Sequence, residues 1–275
     1  MPDYLAVGHV ARDDTPDGHT VGGAVIFGAV TAARMGLRAA IVTSAARGFD
    51  PGPALAGVPL HVVPADATTT FRNVYRGGTR TQHIRDVAGP IVASDVPDEW
   101  RRAPMVFLAP LARELGDDVA AGFPDATVVA SLQGWLRRWD ASGLVTPMRW
   151  DGGGLLPHVD AAIVSEADFA GDDTVVRWAG SAAVLIVTRG SDGASLYHRG
   201  VRRDVPPFPA READPTGAGD VFGTAYLVGL HETGDPIESA RYASCAAGFS
   251  VQAPGVDGIP TRAQVMSRLA QQPRR

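Results

Sequence analysis

Short apolar runs recur along this chain, each followed by a longer stretch of small and apolar residues at helical spacing, and that alternation restricts the fold more than any other feature. Residues 4–10 (YLAVGHV) read as a buried first strand, 24–35 as a small-residue helix stopped by Gly36, and 38–43 as a second strand. Further strands are expected at 105–109, 127–131, 161–165 and 183–188. Strands this apolar, separated by helical segments, belong in a mostly parallel sheet covered on both faces, the α/β class. Two segments break the rhythm. Residues 68–75 and 79–87 flank Arg76-Gly77-Gly78, a hairpin turn, and their alternating Phe71, Val74, Gln82 and Ile84 predict a small antiparallel flap at about 66–88. Residues 195–204 follow Gly190-Ser191-Asp192-Gly193 as a second hairpin. No repeat or linker divides the 275 residues, so a single domain over 1–275 is expected, with Gln271 and the residues after it frayed.

Composition removes whole classes of function. The net charge is −5 with no basic block, so no nucleic-acid partner is expected. No run of 18 apolar residues exists, so no membrane span is expected either. Cys245 is alone and the seven histidines lack paired spacing, which leaves no disulfide framework or zinc cluster. Met1-Pro2-Asp3-Tyr4 lacks the layout of a signal peptide, and a cytoplasmic setting is expected. All 25 basic residues are arginine. A chain without lysine has no Walker-type phosphate loop, no protein-kinase lysine and no Schiff base. Any nucleotide site must therefore rely on backbone N–H groups, arginine and metal.

The strongest chemical signal is Asp214-Pro215-Thr216-Gly217-Ala218-Gly219-Asp220-Val221-Phe222. After it Val221, Phe222, Ala225, Tyr226 and Leu230 recur at helical spacing until Gly234, so a glycine-rich loop opens a helix. The first N–H groups of that helix have no acceptor within it, and with the helix dipole they form an anion site. Gly217 and Gly219 let backbone approach a ligand closely. Asp220 sits beside the site as a carboxylate held ionised, able to accept a proton while the amides hold developing phosphoryl charge. The plain structural alternative is a turn with Asp220 capping its helix.

The nine-residue string closely resembles the C-terminal signature of ribokinase-like (PfkB-type) carbohydrate kinases, and the resemblance extends over essentially the whole chain. It implies a three-layer α/β/α sandwich with a mostly parallel sheet and a small β-hairpin lid, with Gly217, Ala218 and Gly219 as the anion hole and Asp220 as catalytic base. Gly8-His9-Val10-Ala11-Arg12-Asp13 looks like the family's first strand, ending in an aspartate that binds substrate hydroxyls, and Gly22-Gly23 like the paired glycines that approach the sugar. Val187-Thr188-Arg189-Gly190-Ser191-Asp192-Gly193 resembles the segment beside the nucleotide, with Thr188, Gly190 and Gly193 as its contacts, and Ser244 falls where relatives carry a polar residue near the adenine. Ser165-Glu166-Ala167-Asp168 stands loosely where the family has Asn-x-x-Glu, so Glu166 or Asp168 would order waters around Mg²⁺. ATP and Mg²⁺ are the implied cofactors, with a monovalent cation near Asp214 and Thr216 in some relatives. Read without the family, Asp13 is a loop carboxylate, Gly22-Gly23 a turn into a helix, Glu166 and Asp168 acidic residues at a helix start, and Ser244 a small packed residue.

Departures from the family bear on the acceptor. Gly22-Gly23-Ala24-Val25-Ile26-Phe27 lacks the lysine and asparagine that follow the paired glycines in ribokinase, and only eight residues link Asp13 to Gly22. The 68–87 hairpin would then cover the site alone. Thr68-Thr69-Thr70-Phe71, the segment 89–98, Leu132-Gln133-Gly134-Trp135-Leu136-Arg137 with Asp140, and Val205-Pro206-Pro207-Phe208 resemble the short inositol-kinase-like branch. A small polyol or sugar would suit Asp13, Asn73, Gln82 and Gln133, and Arg137 could meet a phosphate. Nucleoside kinase, with a base stacked near Phe27, and a non-catalytic sugar- or nucleotide-binding sensor are the alternatives. Both monomer and homodimer stay open.

Overall fold

The computed structural model describes residues 1–15, 18–76, 79–169 and 171–272. Its first part runs β1 (Tyr4–Val7), β2 (Ala11–Thr15), β3 (Gly18–Gly22), α1 (Ala24–Arg34), β4 (Ala39–Ala46), β5 (Leu60–Ala65), β6 (Thr69–Arg76) and β7 (Thr79–Asp86). The middle contains β8 (Met105–Leu108), β9 (Thr127–Ser131), β10 (Arg137–Trp139), β11 (Val145–Pro147), β12 (Ala161–Ser165), α2 (Asp172–Ser181) and β13 (Val184–Thr188). The last part holds β14 (Ala194–His198), β15 (Val201–Val205), α3 (Ala218–Thr233), α4 (Pro236–Ser250) and α5 (Arg262–Gln271).

Nine strands form one sheet in the order β15-β14-β13-β12-β9-β8-β1-β4-β5. Every pair is parallel except β13–β14 and β14–β15, the expected second hairpin. Alternate residues of each strand serve opposite faces. Tyr4, Ala6, Ile41, Phe107 and Ile163 pack under α1, α3 and α4, and the Tyr4 hydroxyl bonds Thr224 of α3 at 2.8 Å. Leu5, Val7, Val42, Val106, Leu108 and Val164 face the other way.

Helices cover both faces, as expected: α1, α3 and α4 lie on the first, and α2, whose Trp178 packs among the residues of the second face, on the other. Between β8 and β9, and again between β9 and β12, the chain makes short 3-10 turns and the β10–β11 hairpin instead of regular helices. Proline and glycine punctuate both stretches (Pro110, Gly116, Gly122, Pro124; Gly134, Gly143, Pro147, Gly152), which stops a helix from propagating. A stack of aromatic rings holds this layer instead: Trp135 on Trp150 at 5.8 Å, Trp150 on Trp178 at 6.0 Å, and Phe169 on Trp178 at 5.5 Å.

The first strand ends at Val7, earlier than the run 4–10 suggested, because the chain leaves the main sheet there for a second one. That sheet has four strands in the order β3-β2-β6-β7. The predicted hairpin is present as β6 and β7, although its Gly77-Gly78 turn lies outside the described residues. It does not stand alone. The short link after Asp13 folds into a hairpin of its own, β2–β3, and β2 pairs in parallel with β6. Asp13 consequently lies in a strand of this second sheet, not at the end of the first strand. Pro16 and Asp17 of that link, and 273–275 of the expected frayed end, lie outside the described residues. Among the described residues no helix is long and apolar enough to cross a membrane.

Candidate functional site

A cleft of about 900 Å³ opens at the carboxyl ends of the parallel strands, the place where open α/β sheets take ligands. Ser131 at the end of β9, Ser165 at the end of β12 and Thr188 at the end of β13 form its floor, the start of α3 forms one wall, and the four-stranded sheet overhangs it with Asp13, Phe71 and Gln82.

The loop before α3 is built as its sequence requires. Asp214 accepts from the Thr216 N–H at 2.9 Å and the Gly255 N–H at 2.9 Å, tying the loop to the turn after α4. Burial pushes its carboxyl up, but those hydrogen bonds outweigh burial and hold it below the usual carboxylate range. Gly217 caps α3 at φ 75°, where a Cβ would also lie 2.2 Å from the Phe27 ring, so both the backbone and the packing demand glycine. The amides divide unevenly. Ala218 donates to the Pro215 carbonyl at 3.2 Å, whereas Gly217 and Gly219 donate to no protein acceptor among the described residues. The anion site expected from three amides is therefore offered by two.

Asp220, in the first turn of α3, lines the cleft between Arg137 and Asp168. A carboxylate held ionised by the helix end was expected. Burial instead raises its pKa to about 7, with Arg137 pulling it down and Asp168 pushing it up. Desolvation in a closed cleft outweighs the half-charge of a helix terminus. Arg137 is the one cation among the described residues that line the cleft, against the carboxylates of Asp13, Asp168, Glu212, Asp214 and Asp220. Its guanidinium lies over the Phe71 ring at 5.7 Å and donates to the Leu111 carbonyl at 3.3 Å.

Three polar side chains of the overhanging sheet form a relay. Gln82 donates to the Asn73 carbonyl oxygen at 3.1 Å, and the Asn73 amide donates to Asp13 at 2.9 Å. Asp13, Gln82 and, from the turn after β9, Gln133 reach the cleft, while Asn73 stands behind Asp13. Gly22 ends β3 with Asp13 beside it, and Gly23 lines the cleft as the cap of α1. At the far end Thr188, Gly190, Gly193 and Ser244 all line the wall, joined by Pro207, Phe208, Ala247, Gly248 and Val251. The Ser244 hydroxyl donates to the Pro206 carbonyl at 3.0 Å, and a Cβ on Gly193 would strike the Val205 carbonyl at 2.2 Å, so each has a structural duty too. Asp168 faces the cleft and Glu166 is exposed away from it. They are two apart on a 3-10 turn, whose 120° per residue cannot aim both the same way.

Sequence reading missed the apolar wall of Phe208, Ala247 and Val251, and the buried pair His9 and Glu114 behind the overhanging sheet. The place of His9 inside the apolar run 4–10 (YLAVGHV) was the available hint; Glu114 gave none, because a lone acidic residue in a loop reads as solvated.

Residues 155–262 match the model of the pfkB family carbohydrate kinases. The chain is 31% identical to the inositol 3-kinase of Zea mays over 189 residues, 65% of this chain and 47% of that protein. It spans about half the length of the curated relatives it matches. A pyrophosphate-dependent kinase in the ribokinase family, complexed with a pyrophosphate analog and myo-inositol, superposes at a TM-score of 0.79 with 19% identity, covering 97% of this chain and 100% of that one. Arabidopsis thaliana ribokinase complexed with ribose and ATP superposes at 0.74 with 20% identity, covering 97% and 98%. Residues 155–262 thus resemble the pfkB family of carbohydrate kinases, and over its length the chain has the fold of these ribokinase-family structures.

Proposed function

We propose that this chain is a phosphotransferase that moves the γ-phosphoryl group of ATP to a hydroxyl of a small polyol, inositol-like in its array of hydroxyls, within one kinase domain whose four-stranded sheet is the lid. The observation that carries the reading is the pairing, in one cleft, of a desolvated carboxylate at Asp220 with two bare amides at Gly217 and Gly219. Asp220 takes the proton from the acceptor hydroxyl, the alcohol oxygen bonds to phosphorus, the bond to the bridging oxygen breaks and ADP leaves. The two amides hold charge on the transferring group. A pKa of about 7 keeps the base basic enough to take that proton and ionised enough to be ready for it.

Asp13, Gln82 and Gln133 are polar groups of the kind that would bind several hydroxyls at once, and Asn73 orients Asp13. The likeness to inositol 3-kinases, and to a kinase holding myo-inositol, supports this acceptor class. The apolar shelf of Phe208, Ala247 and Val251 beyond Thr188 fits an adenine, which pyrophosphate would leave uncovered. No cluster of three acidic, histidine or cysteine ligands occurs among the described residues, so the donor set fits an ion that keeps its water shell. Asp168 would hold Mg²⁺ through water on the donor phosphates, where the ion supplies neutralising charge.

The test is a panel of inositols, hexoses, pentoses and nucleosides with ATP or pyrophosphate as donor, scored by phosphorylated product. Turnover of a polyol with ATP, abolished in Asp220→Asn, is the expected result. Ligand binding without product would instead make the protein a sensor, and turnover only with pyrophosphate would overturn the donor.

A further inference from the structure

The lid sheet joins the main sheet through segments that all pass one buried histidine. His9, fully buried, lies where the chain leaves β1 for β2. Its Nε2 is 2.8 Å from the Gly89 carbonyl, just after β7. Its Nδ1 is 2.7 Å from the Thr69 hydroxyl at the start of β6. A carbonyl only accepts, so Nε2–H donates to Gly89, and Nδ1, which also lies 3.8 Å from the Glu114 carboxylate, shares the second hydrogen bond with the Thr69 hydroxyl. The same Thr69 oxygen accepts from the Ala88 N–H at 3.0 Å. The backbone N–H of His9 donates to Glu114 at 2.7 Å, and that buried carboxylate also accepts from Leu111 and from Ala112 at 2.7 Å. One imidazole therefore fastens the start and the end of the β6–β7 hairpin to the root of β2, and the loop that carries Leu111 into the cleft is fastened to the same root.

We propose that His9 is a positioning residue that sets the lid sheet, and with it Asp13 four residues along the chain, against the main sheet. No ligand reaches it, since it lies behind the cleft, and both ring nitrogens are used inside the protein. An imidazole reaches both partners at once through its two ring nitrogens, which an aliphatic side chain does not. The hinge stands on geometry alone. Its effect on acceptor binding rests on the phosphotransfer reading.

The experiment uses Thr69→Val, which deletes the hydroxyl at nearly constant volume, with Thr69→Ser as the restoring variant and His9→Leu as the severe one. Hydrogen exchange of residues 69–76 and 79–86 is compared with that of 105–108 in the main sheet, and KM for myo-inositol with KM for ATP. In Thr69→Val, lid exchange and KM for myo-inositol each rise about tenfold, as the loss of one buried hydrogen bond predicts, while main-sheet exchange, KM for ATP and kcat change by less than about twofold. Thr69→Ser returns both to the parent values, and His9→Leu exceeds Thr69→Val. Equal acceleration in both sheets, or an unchanged lid, overturns the proposal. If the parent protein phosphorylates nothing, the phosphotransfer reading fails while the exchange data still decide the hinge.

Discussion

The two ends of the cleft are made in opposite ways. The end proposed to hold the phosphoryl donor takes its central chemistry from one stretch, Asp214 to Asp220, in which each residue's backbone is set by its neighbours and by the first turn of α3. The end proposed to hold the acceptor assembles Asp13, Phe71, Gln82, Leu111, Gln133 and Arg137 from segments that meet only because β2 pairs with β6 and a loop packs below them. A locally encoded device survives change elsewhere in the chain, whereas an assembled one changes whenever any contributing segment moves. On the proposed phosphotransfer reading, this places phosphoryl transfer at the locally encoded end and acceptor selectivity at the assembled one.

Substitutions at the two ends should therefore fail differently. The largest effect is expected at Asp220→Asn, with kcat lower by about a thousandfold and both Michaelis constants little changed. The same variant should be relatively more stable than the parent at pH 8 than at pH 5. The unfolded Asp220 carboxyl ionises above its usual value of 3.8 whereas the buried one stays protonated up to about 7, so the parent loses stability as pH rises across that window and the amide does not; thermal melts at the two pH values check the sign. Next comes Gly217→Ala, whose Cβ meets Phe27 and forces an unfavourable φ of 75°. Displacing the amides should cost about a hundredfold in kcat/KM for both substrates, since misplacement by an ångström is enough. If only the acceptor constant moved, the division between the two ends would be wrong.

Arg137→Gln bridges the ends. The parent should lose activity as pH falls through about 7, because the base must be ionised. Removing the guanidinium that pulls the Asp220 pKa down should move that limb to higher pH and lower kcat/KM at neutral pH by about tenfold, read from a pH–rate profile. The smallest effect is expected at Gln82→Leu, which removes a donor to Asn73 and a group facing the acceptor. A rise in acceptor KM of about tenfold, with donor KM unchanged, would sharpen the comparison, and equal rises in both would blur it.

How much of this was legible follows from where each signal resides. The strands β1, β8, β9, β12 and β13 are continuous apolar runs because both their faces are covered, and such runs stand out in a sequence. Strand β2 (ARDDT), half-buried between β3 and β6, and strand β3 (GHTVG), mostly exposed at the edge of the four-stranded sheet, are polar, so nothing in their composition marks them as strands. Without them the second sheet looks like a lone hairpin and Asp13 like the end of the first strand. The second face of the main sheet carries α2, as the α/β reading expected, beside turns in which Trp135 and Trp150 stack toward Trp178 from distant segments and leave no helical period to find.

By itself the sequence determined the α/β class, the glycine loop that opens α3 and the presence of an aspartate at the start of that helix, because each follows from interactions within a few residues. Only the tertiary structure decided that two amides and not three are bare, that Asp220 is desolvated to a pKa of about 7, that Asp168 and not Glu166 faces the cleft, and that His9 bonds Thr69 and Gly89 at the two ends of the β6–β7 hairpin. Burial, electrostatic neighbourhood and strand pairing are sums over residues far apart in the chain, and those sums exist only once the chain has folded.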